Sequence, residues 1–378
     1  MRSVIRLAVG AGAVLGLSVG APLAAGASSA VSGDGSHAVF VQTNDPAGNQ
    51  IVSYRQGPHG QLLPGGRYDT GGLGVALTGA VVDKLASQGG LAFDPASGLL
   101  VAVNGGSNTI TTFDVHGARL DDPRTVASGG TIPVSVAIAG DRLYVLNAGG
   151  TGSVQGFDSR TLAPLPGGHR ELNLTRNVTP QFLNTPGQIG LTPDGRHLVV
   201  TTKANGSSID VFGVDASGRL SAAAVTTVSA TPVPFGFTFD PHGDLVVTEA
   251  AQSVLTTYAI HSNGTLGVLA SVTNSQAALC WVTNLGGRFY FGSNAGSGTV
   301  TTYTISSAGV PTIVGTTSTD AGPIDAAANP DGSTLYVETG ASGIVDGFHV
   351  NANGSLTFTG AVAPELPGHS GLEGIVAT

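Results

Sequence analysis

Two carboxylates stand out by type and place. Asp325 lies in Ile324-Asp325-Ala326 and Glu373 in Leu372-Glu373-Gly374. The matching triplets elsewhere are mostly apolar or small: Gly90-Leu91-Ala92, Ser135-Val136-Ala137, Gln188-Ile189-Gly190, Phe235-Gly236-Phe237 and Cys280-Trp281-Val282. Two facing acids raise each other's pKa and serve as an acid/base pair or as cation ligands. The plainer alternative is polar lining of a hydrated channel. A second column is polar in every copy: Thr43, Asn104, Asn147, Thr202, Glu249, Ser293 and Thr339, with Lys203 and Asn294 directly after two of them. Glu249 and Lys203 are the charges of this column. They are read either as a pair that holds a carboxylate or lactone substrate, with Glu249 as acid/base, or as a salt bridge. Asn104, Asn147 and Asn294 are candidate substrate contacts that would equally well cap loop backbone.

His369, four residues before Glu373, is placed near a channel entrance as a further catalytic candidate, whereas His59, His242 and His261 sit in or beside turns. No HxxxH, CxxC or Gly-x-Ser-x-Gly spacing occurs, which removes zinc and α/β-hydrolase readings. Oxygen ligands for calcium exist in Asp325, Glu373 and the Asn side chains, but no spacing defines such a site, so no metal or cofactor is expected. The single Cys280, bounded by Leu279 and Trp281, reads as a buried structural thiol and excludes an internal disulfide.

These columns exist because the chain repeats. Seven phrases of two apolar runs end on Tyr54, Phe113, Phe157, Phe212, Tyr258, Tyr303 and Phe348, separated by 59, 44, 55, 46, 45 and 45 residues. A period of about 40–50 residues built from short strands is the signature of a propeller blade. In residues 231–276, strand-like Phe235–Phe239 and Leu245–Thr248 flank Asp240-Pro241-His242-Gly243. Val254–Tyr258 and Leu266–Val272 flank Ser262-Asn263-Gly264-Thr265. Pro, Gly and Asn-Gly are hairpin chemistry, because Asn and Gly accept positive φ. The expected fold is therefore all-β: a seven-bladed β-propeller with four-stranded blades. The first blade, 37–72, lacks an innermost strand, and residues 370–376 supply it, closing the ring. Two stretches leave the period, 72–87 and 173–185, the second with an exposed-looking Arg176 and Phe182. Long loops of this kind are where binding specificity is placed.

Residues 1–30 read as a secretory signal: Arg2 and Arg6, an apolar stretch from Leu7 to Val19, then small residues with exits at Ala25-Gly26-Ala27 or Ser28-Ser29-Ala30. The apolar stretch is shorter than the ~20 residues a bilayer needs. The expectation is an exported bacterial protein, secreted or at the cell surface, with one domain over 31–378, no membrane span after signal removal, and a monomeric state. Net charge is −9 with two lysines, Lys84 and Lys203, and charged residues make up only 10% of the chain. That balance argues against nucleic-acid or anionic-membrane partners, which need basic patches.

The phrases Phe93-Asp94-Pro95, Leu191-Thr192-Pro193-Asp194-Gly195-Arg196, and Phe239-Asp240-Pro241 followed by Thr248-Glu249-Ala250 resemble the lactonase-like seven-bladed propellers. That group contains bacterial 6-phosphogluconolactonases and fungal carboxymuconate cyclases, and the similarity covers most of 37–378. The last phrase is similar to the family's Pro-Arg-His then Asn-Glu-Leu stretch, with Glu249 at its acidic position. Where the family has Arg-His this chain has Phe235-Gly236, and where it has Asp-Leu-Gly this chain has Thr202-Lys203-Ala204. The resemblance implies a hydrolase or isomerase of small lactones working by carboxylate general acid/base chemistry in the channel. Glu249 would be the acid/base, Lys203 and His369 would hold substrate charge, and Asp325 and Glu373 would line the channel. The missing Arg-His pair and the leader support a different reading, a non-catalytic extracellular propeller binding a protein or glycan through its loops.

Overall fold

The computed structural model describes residues 37–364 and 372–378; the leader read at 1–30 and His369 lie outside the described residues. Twenty-eight strands form seven antiparallel four-stranded sheets. The first joins β28 (Ile375–Ala377) to β1 (Ala38–Gln42), β2 (Gln50–Gln56) and β3 (Leu62–Asp69). The others are consecutive: β4–β7 (91–127), β8–β11 (133–171), β12–β15 (188–228), β16–β19 (234–273), β20–β23 (279–318) and β24–β27 (323–362). First strands touch one another in the cyclic order β28, β4, β8, β12, β16, β20, β24 and back to β28, which is a seven-bladed ring. The seven blades expected from the period are all present.

Burial explains why each strand has its composition. The second strand of each blade is covered on both faces by neighbouring blades, so it reads as a continuous apolar run rather than an alternating one. Leu99–Asn104, Leu245–Glu249, Phe289–Asn294 and Thr334–Thr339 are buried at every residue. Outermost strands alternate half-buried and exposed, as in Leu266–Thr273. The seven repeated aromatics lie on third strands, each at most 5% exposed, and wedge the blades together.

Closure is as expected: β28 pairs antiparallel with β1 through Val39↔Ala377, Phe40↔Val376 and Val41↔Ile375. His37 Nδ1 and the Thr378 carbonyl, 2.7 Å apart, tie the residues flanking β1 and β28. Joining the last strand to the first blade removes a free edge and makes opening cost a ladder.

Inner strands are irregular where they matter. Pairing to the second strand slips between Pro133 and Ser135, Pro234 and Phe237, Leu279 and Trp281, and Pro323 and Ala326. Such bulges re-aim side chains and free backbone groups. Here they turn backbone and side-chain groups of Ser135, Gly236, Cys280 and Asp325 toward the axis.

Candidate functional site

The axis is not open. Instead of forming a loop beside the channel mouth, the off-period residues after 72 descend into it, and residues 83–90 fill its centre. Ser87 Oγ donates to the Val134 carbonyl at 2.7 Å, and Ser135 Oγ donates to that of Gln88 at 2.7 Å. The Gln88 amide group donates to the Val282 carbonyl at 2.7 Å and accepts from the Val282 N–H at 3.1 Å. Trp281 Nε1 donates to the Ser87 carbonyl at 2.8 Å, and Gln88 N to that of Gly187 at 3.1 Å. Leu85 is fully buried against Val103 and Val134, which anchors the segment in the core. One short stretch thus satisfies inward-facing groups of the third, fourth and sixth blades. Gly236 shows the fit: a Cβ there would lie 2.1 Å from Gln88 Oε1 and 2.7 Å from the Cys280 carbonyl. The Arg-His of the family pattern has no room where Gln88 passes.

The second off-period stretch packs on the first. Thr78 N–H donates to Gln181 Oε1 at 3.0 Å, and Pro180 and Phe182 lie against Gly79. The two segments form one cap at the end of the propeller where the second strands finish. Phe182 is half-buried in it and Arg176 remains exposed.

Four acids gather beneath this cap: Asp83 from the cap itself, Asp325 from β24, Glu338 from β25 (Thr334–Thr339) and Glu373 just before β28. Each is less than a tenth exposed. Glu373 Oε1 accepts from the N–H groups of Lys84 and Leu85, the latter at 2.9 Å. Asp325 Oδ2 accepts from Gly89 N–H at 3.2 Å and Oδ1 from Ala326 N–H at 2.9 Å. Asp83 accepts from the N–H groups of Ala86 and Ser87 at 2.5 and 2.9 Å. Glu338 Oε2 accepts from Gly374 N–H at 3.0 Å, and its Oε1 is buried with no partner among the described residues.

Desolvation is the main force on all four, because burial penalises the charged form. It pushes Asp325 up to about 7 against the two amide hydrogen bonds that oppose it. Glu338 is raised well above the carboxylate range by burial and then by the nearby Asp325. Glu373 is raised likewise by burial and then by the charge of Asp83. Asp83, also raised by burial, is held back by its hydrogen bond to Glu373. Burial thus favours a proton shared by this pair, with Glu373 raised further than Asp83.

Lys203 fastens the cap. Its Nζ donates to the Ala86 carbonyl in the first segment, and to the Phe182 carbonyl (2.7 Å) and Thr185 Oγ1 (3.0 Å) in the second. The ammonium also stands 5.1 Å from the Phe235 ring centre, a cation–π contact. Complete burial lowers its pKa to about 7, partly offset by Asp83 and Glu373.

The expected Lys203–Glu249 pair does not form. Glu249 Oε2 accepts from Thr231 N–H at 3.0 Å, Thr231 Oγ1 at 2.7 Å and Thr256 Oγ1 at 2.8 Å, while Oε1 accepts from Tyr258 OH at 2.5 Å. Its oxygens are occupied by its own blade. The Asn column behaves in the same way. Asn104 donates to Thr109 and Thr111 and accepts from Asn49 and Thr70. Asn294 donates to Thr299 and Thr301 and accepts from Asn274. Asn147 donates to the Ser128 carbonyl at 3.3 Å. All three are buried within or between blades, so the column ties loops to strands and does not face the axis.

Of the residues singled out in the sequence, Lys203, Asp325 and Glu373 converge. Asp83 and Glu338 complete the group and were missed. Glu338 had a legible signal, a lone charge inside an otherwise apolar-and-aromatic strand. Asp83 had none, since its segment has no counterpart in the other copies. Cys280 is free, and burial pushes its thiol up to about 12, opposite to what a nucleophile needs. Among the described residues, no group of three or more His, Cys, Asp or Glu side chains is arranged to hold a metal ion. No helix among them is long and apolar enough to cross a membrane.

Residues 158–283 match the family model described as Lactonase, 7-bladed beta-propeller. No curated protein matches the sequence. Among solved structures, one from Bacteroides fragilis, described as a candidate 6-phosphogluconolactonase, superposes with a TM-score of 0.70 at 16% identity, over 92% of this chain and 99% of its own. A similarly described protein from Bacteroides uniformis gives 0.70 at 17%, over 90% and 99%. The periplasmic gluconolactonase of Pseudomonas aeruginosa gives 0.68 at 18%, over 86% and 96%. Identities this low carry the fold alone. The family match and the seven closed blades agree: this chain is a seven-bladed β-propeller that over residues 158–283 is similar to the lactonase propellers.

Proposed function

We propose that the protein is an exported hydrolase or isomerase of small lactones, with its acid/base chemistry in the carboxylate cluster under the cap rather than at Glu249. The observation that carries this reading is the gathering of Asp83, Asp325, Glu338 and Glu373 on the axis of a lactonase-like propeller, with Lys203 near Asp83 and Glu373. Burying four acids together is costly, and costly perturbed groups concentrate where a fold does chemistry. A carboxyl group poised near neutral pH suits general-base work. In hydrolysis, Asp325 takes a proton from water as its oxygen adds to the lactone carbonyl. The ring C–O bond then breaks, and the proton held by Glu373 passes to the departing alkoxide. Residues 83–88 must lift for substrate to enter, so the cap acts as a lid.

The test is turnover of a panel of sugar and aromatic lactones by the purified protein, Asp325→Asn, Glu373→Gln and Glu249→Gln. The expected result is activity lost in the first two variants and kept in the third wherever it remains folded. A second reading, a non-catalytic binder of an extracellular protein or glycan, is favoured by the seal itself and by Gly236 standing where the family pattern carries a basic residue. Absence of turnover on every lactone would select it. Export is tested by the cell fraction that holds the processed chain.

A further inference from the structure

At the opposite end of the inner strands from the cap, the turns of the third to fifth blades enclose a groove of about 1260 Å³. Four arginines line it, Arg142, Arg170, Arg196 and Arg219, with His197 and His242 beside them. This concentration is unusual in a chain with 15 basic residues and a net charge of −9.

The arginines divide by role. Those of the third blade are structural: Arg142 donates to the Ala216 carbonyl at 2.8 Å, and Arg170 to the Ser221 carbonyl at 2.6 Å and also to that of Leu220. They hold the hairpin 213–221 against their own blade, and that hairpin presents Arg219. Arg196 is presented by the neighbouring turn, with its side chain 80% exposed.

The two acids of the groove are engaged in their own turns. Asp194 Oδ1 accepts from Thr192 Oγ1 at 2.6 Å and Arg196 N–H at 3.0 Å. Asp215 Oδ1 accepts from the Ser217 N–H and hydroxyl and from Arg219 N–H. Asp194 lies 3.8 Å from the Arg196 guanidinium, a loose and solvent-exposed pair, and Asp141 lies 3.8 Å from that of the half-buried Arg142. Such pairs are weak and exchange readily for a better-placed anion.

We propose that this groove binds a short acidic glycan, an oligosaccharide bearing a carboxylate on each sugar. The volume exceeds the few hundred to about 1,000 Å³ typical of a single small ligand, which points to an oligomer. Guanidinium forks match carboxylates at successive units. Between the arginines lie turn backbone and the exposed hydroxyl of Ser262, which suit sugar hydroxyls. No Phe, Tyr or Trp lines the groove, so it lacks the stacking platform that single-stranded nucleic acid uses.

The test is calorimetric titration of the purified protein with oligogalacturonate, a neutral oligoglucan of equal length, oligoglutamate and a single-stranded oligonucleotide. Wild type is expected to bind oligogalacturonate alone, with an affinity that falls as salt rises. Arg196→Gln/Arg219→Gln is expected to weaken it at least about tenfold. Both substituted side chains project from turns, and an unchanged Tm shows that the variant is folded. Failure to bind oligogalacturonate, equal binding by the double variant, or equal binding of the neutral, peptide or nucleic-acid oligomer would each overturn the proposal. The lactone assay reads the other end of the molecule, so the two results stand apart.

Discussion

Gly236 is the residue on which the centre turns. With no side chain it lets Gln88 cross the axis and bond Val282 on both its amide atoms. Gly236→Ala puts a methyl group 2.1 Å from Gln88 Oε1, and overpacking of a closed interior costs about 1–3 kcal/mol. Equilibrium denaturant unfolding is expected to show that loss, and a loss below 0.5 kcal/mol, roughly the level of surface substitutions, would mean the cap does not hold this position. Asp325 makes a second prediction at this scale. Its pKa rises from 3.8 to about 7 on folding. As pH climbs from about 4 to 7 the unfolded chain releases this proton and the folded one keeps it. Stability therefore falls across that window and levels off above it. Asp325→Asn is expected to flatten the fall, so that Tm differs less between pH 5 and pH 8 than in wild type. An unchanged difference would move the titration to the other acids.

At the scale of elements, the cap depends on one lysine. Lys203→Met leaves the carbonyls of Ala86 and Phe182 without their donor and the acid cluster without its cation. Breaking a buried charge arrangement on one side costs about 3–5 kcal/mol. The cap is expected to loosen before the blades do, because its hold is side-chain hydrogen bonding and theirs is strand ladders. Limited trypsin digestion followed by mass spectrometry reads this directly: cleavage after Lys84 should be faster in the variant while the blades stay intact. Trp281, the one tryptophan, donates its indole N–H to the Ser87 carbonyl in the cap. Its emission is therefore expected to shift to the red when the cap lifts. A spectrum unchanged between Lys203→Met and wild type would mean that the cap is held elsewhere.

For the whole molecule, ring closure rests on three residue pairs between β28 and β1 together with the His37–Thr378 contact. Truncation after residue 371 removes β28 and also Leu372 and Glu373, which lie beside the cap. Calorimetry is expected to show a lower Tm and a broader transition, since the first blade loses its inner strand and can separate from the seventh. A transition as sharp as that of wild type would assign closure to the blade faces alone.

Blade number, strand order and closure were legible in the sequence because they rest on local, repeated signals. The turn residues at Asp194-Gly195 and Asn263-Gly264, the apolar second strands and the recurring aromatic state the period seven times. Asp325 and Glu373 were legible as inward-facing acids of adjacent blades, whereas the sequence paired Lys203 with Glu249 and not with them. What the repeat could not express was anything occurring once. Asp83 and Gln88 belong to a segment with no second copy to align, so nothing local says that it turns into the axis. The role of Glu249 was likewise decided by Thr231, Thr256 and Tyr258, each an ordinary residue until folding brings all three to one carboxylate. The arginine groove is assembled from turns of three blades by the same process. Periodicity encodes the scaffold along the chain, whereas a charged centre depends on distances across it, and only tertiary packing sets those.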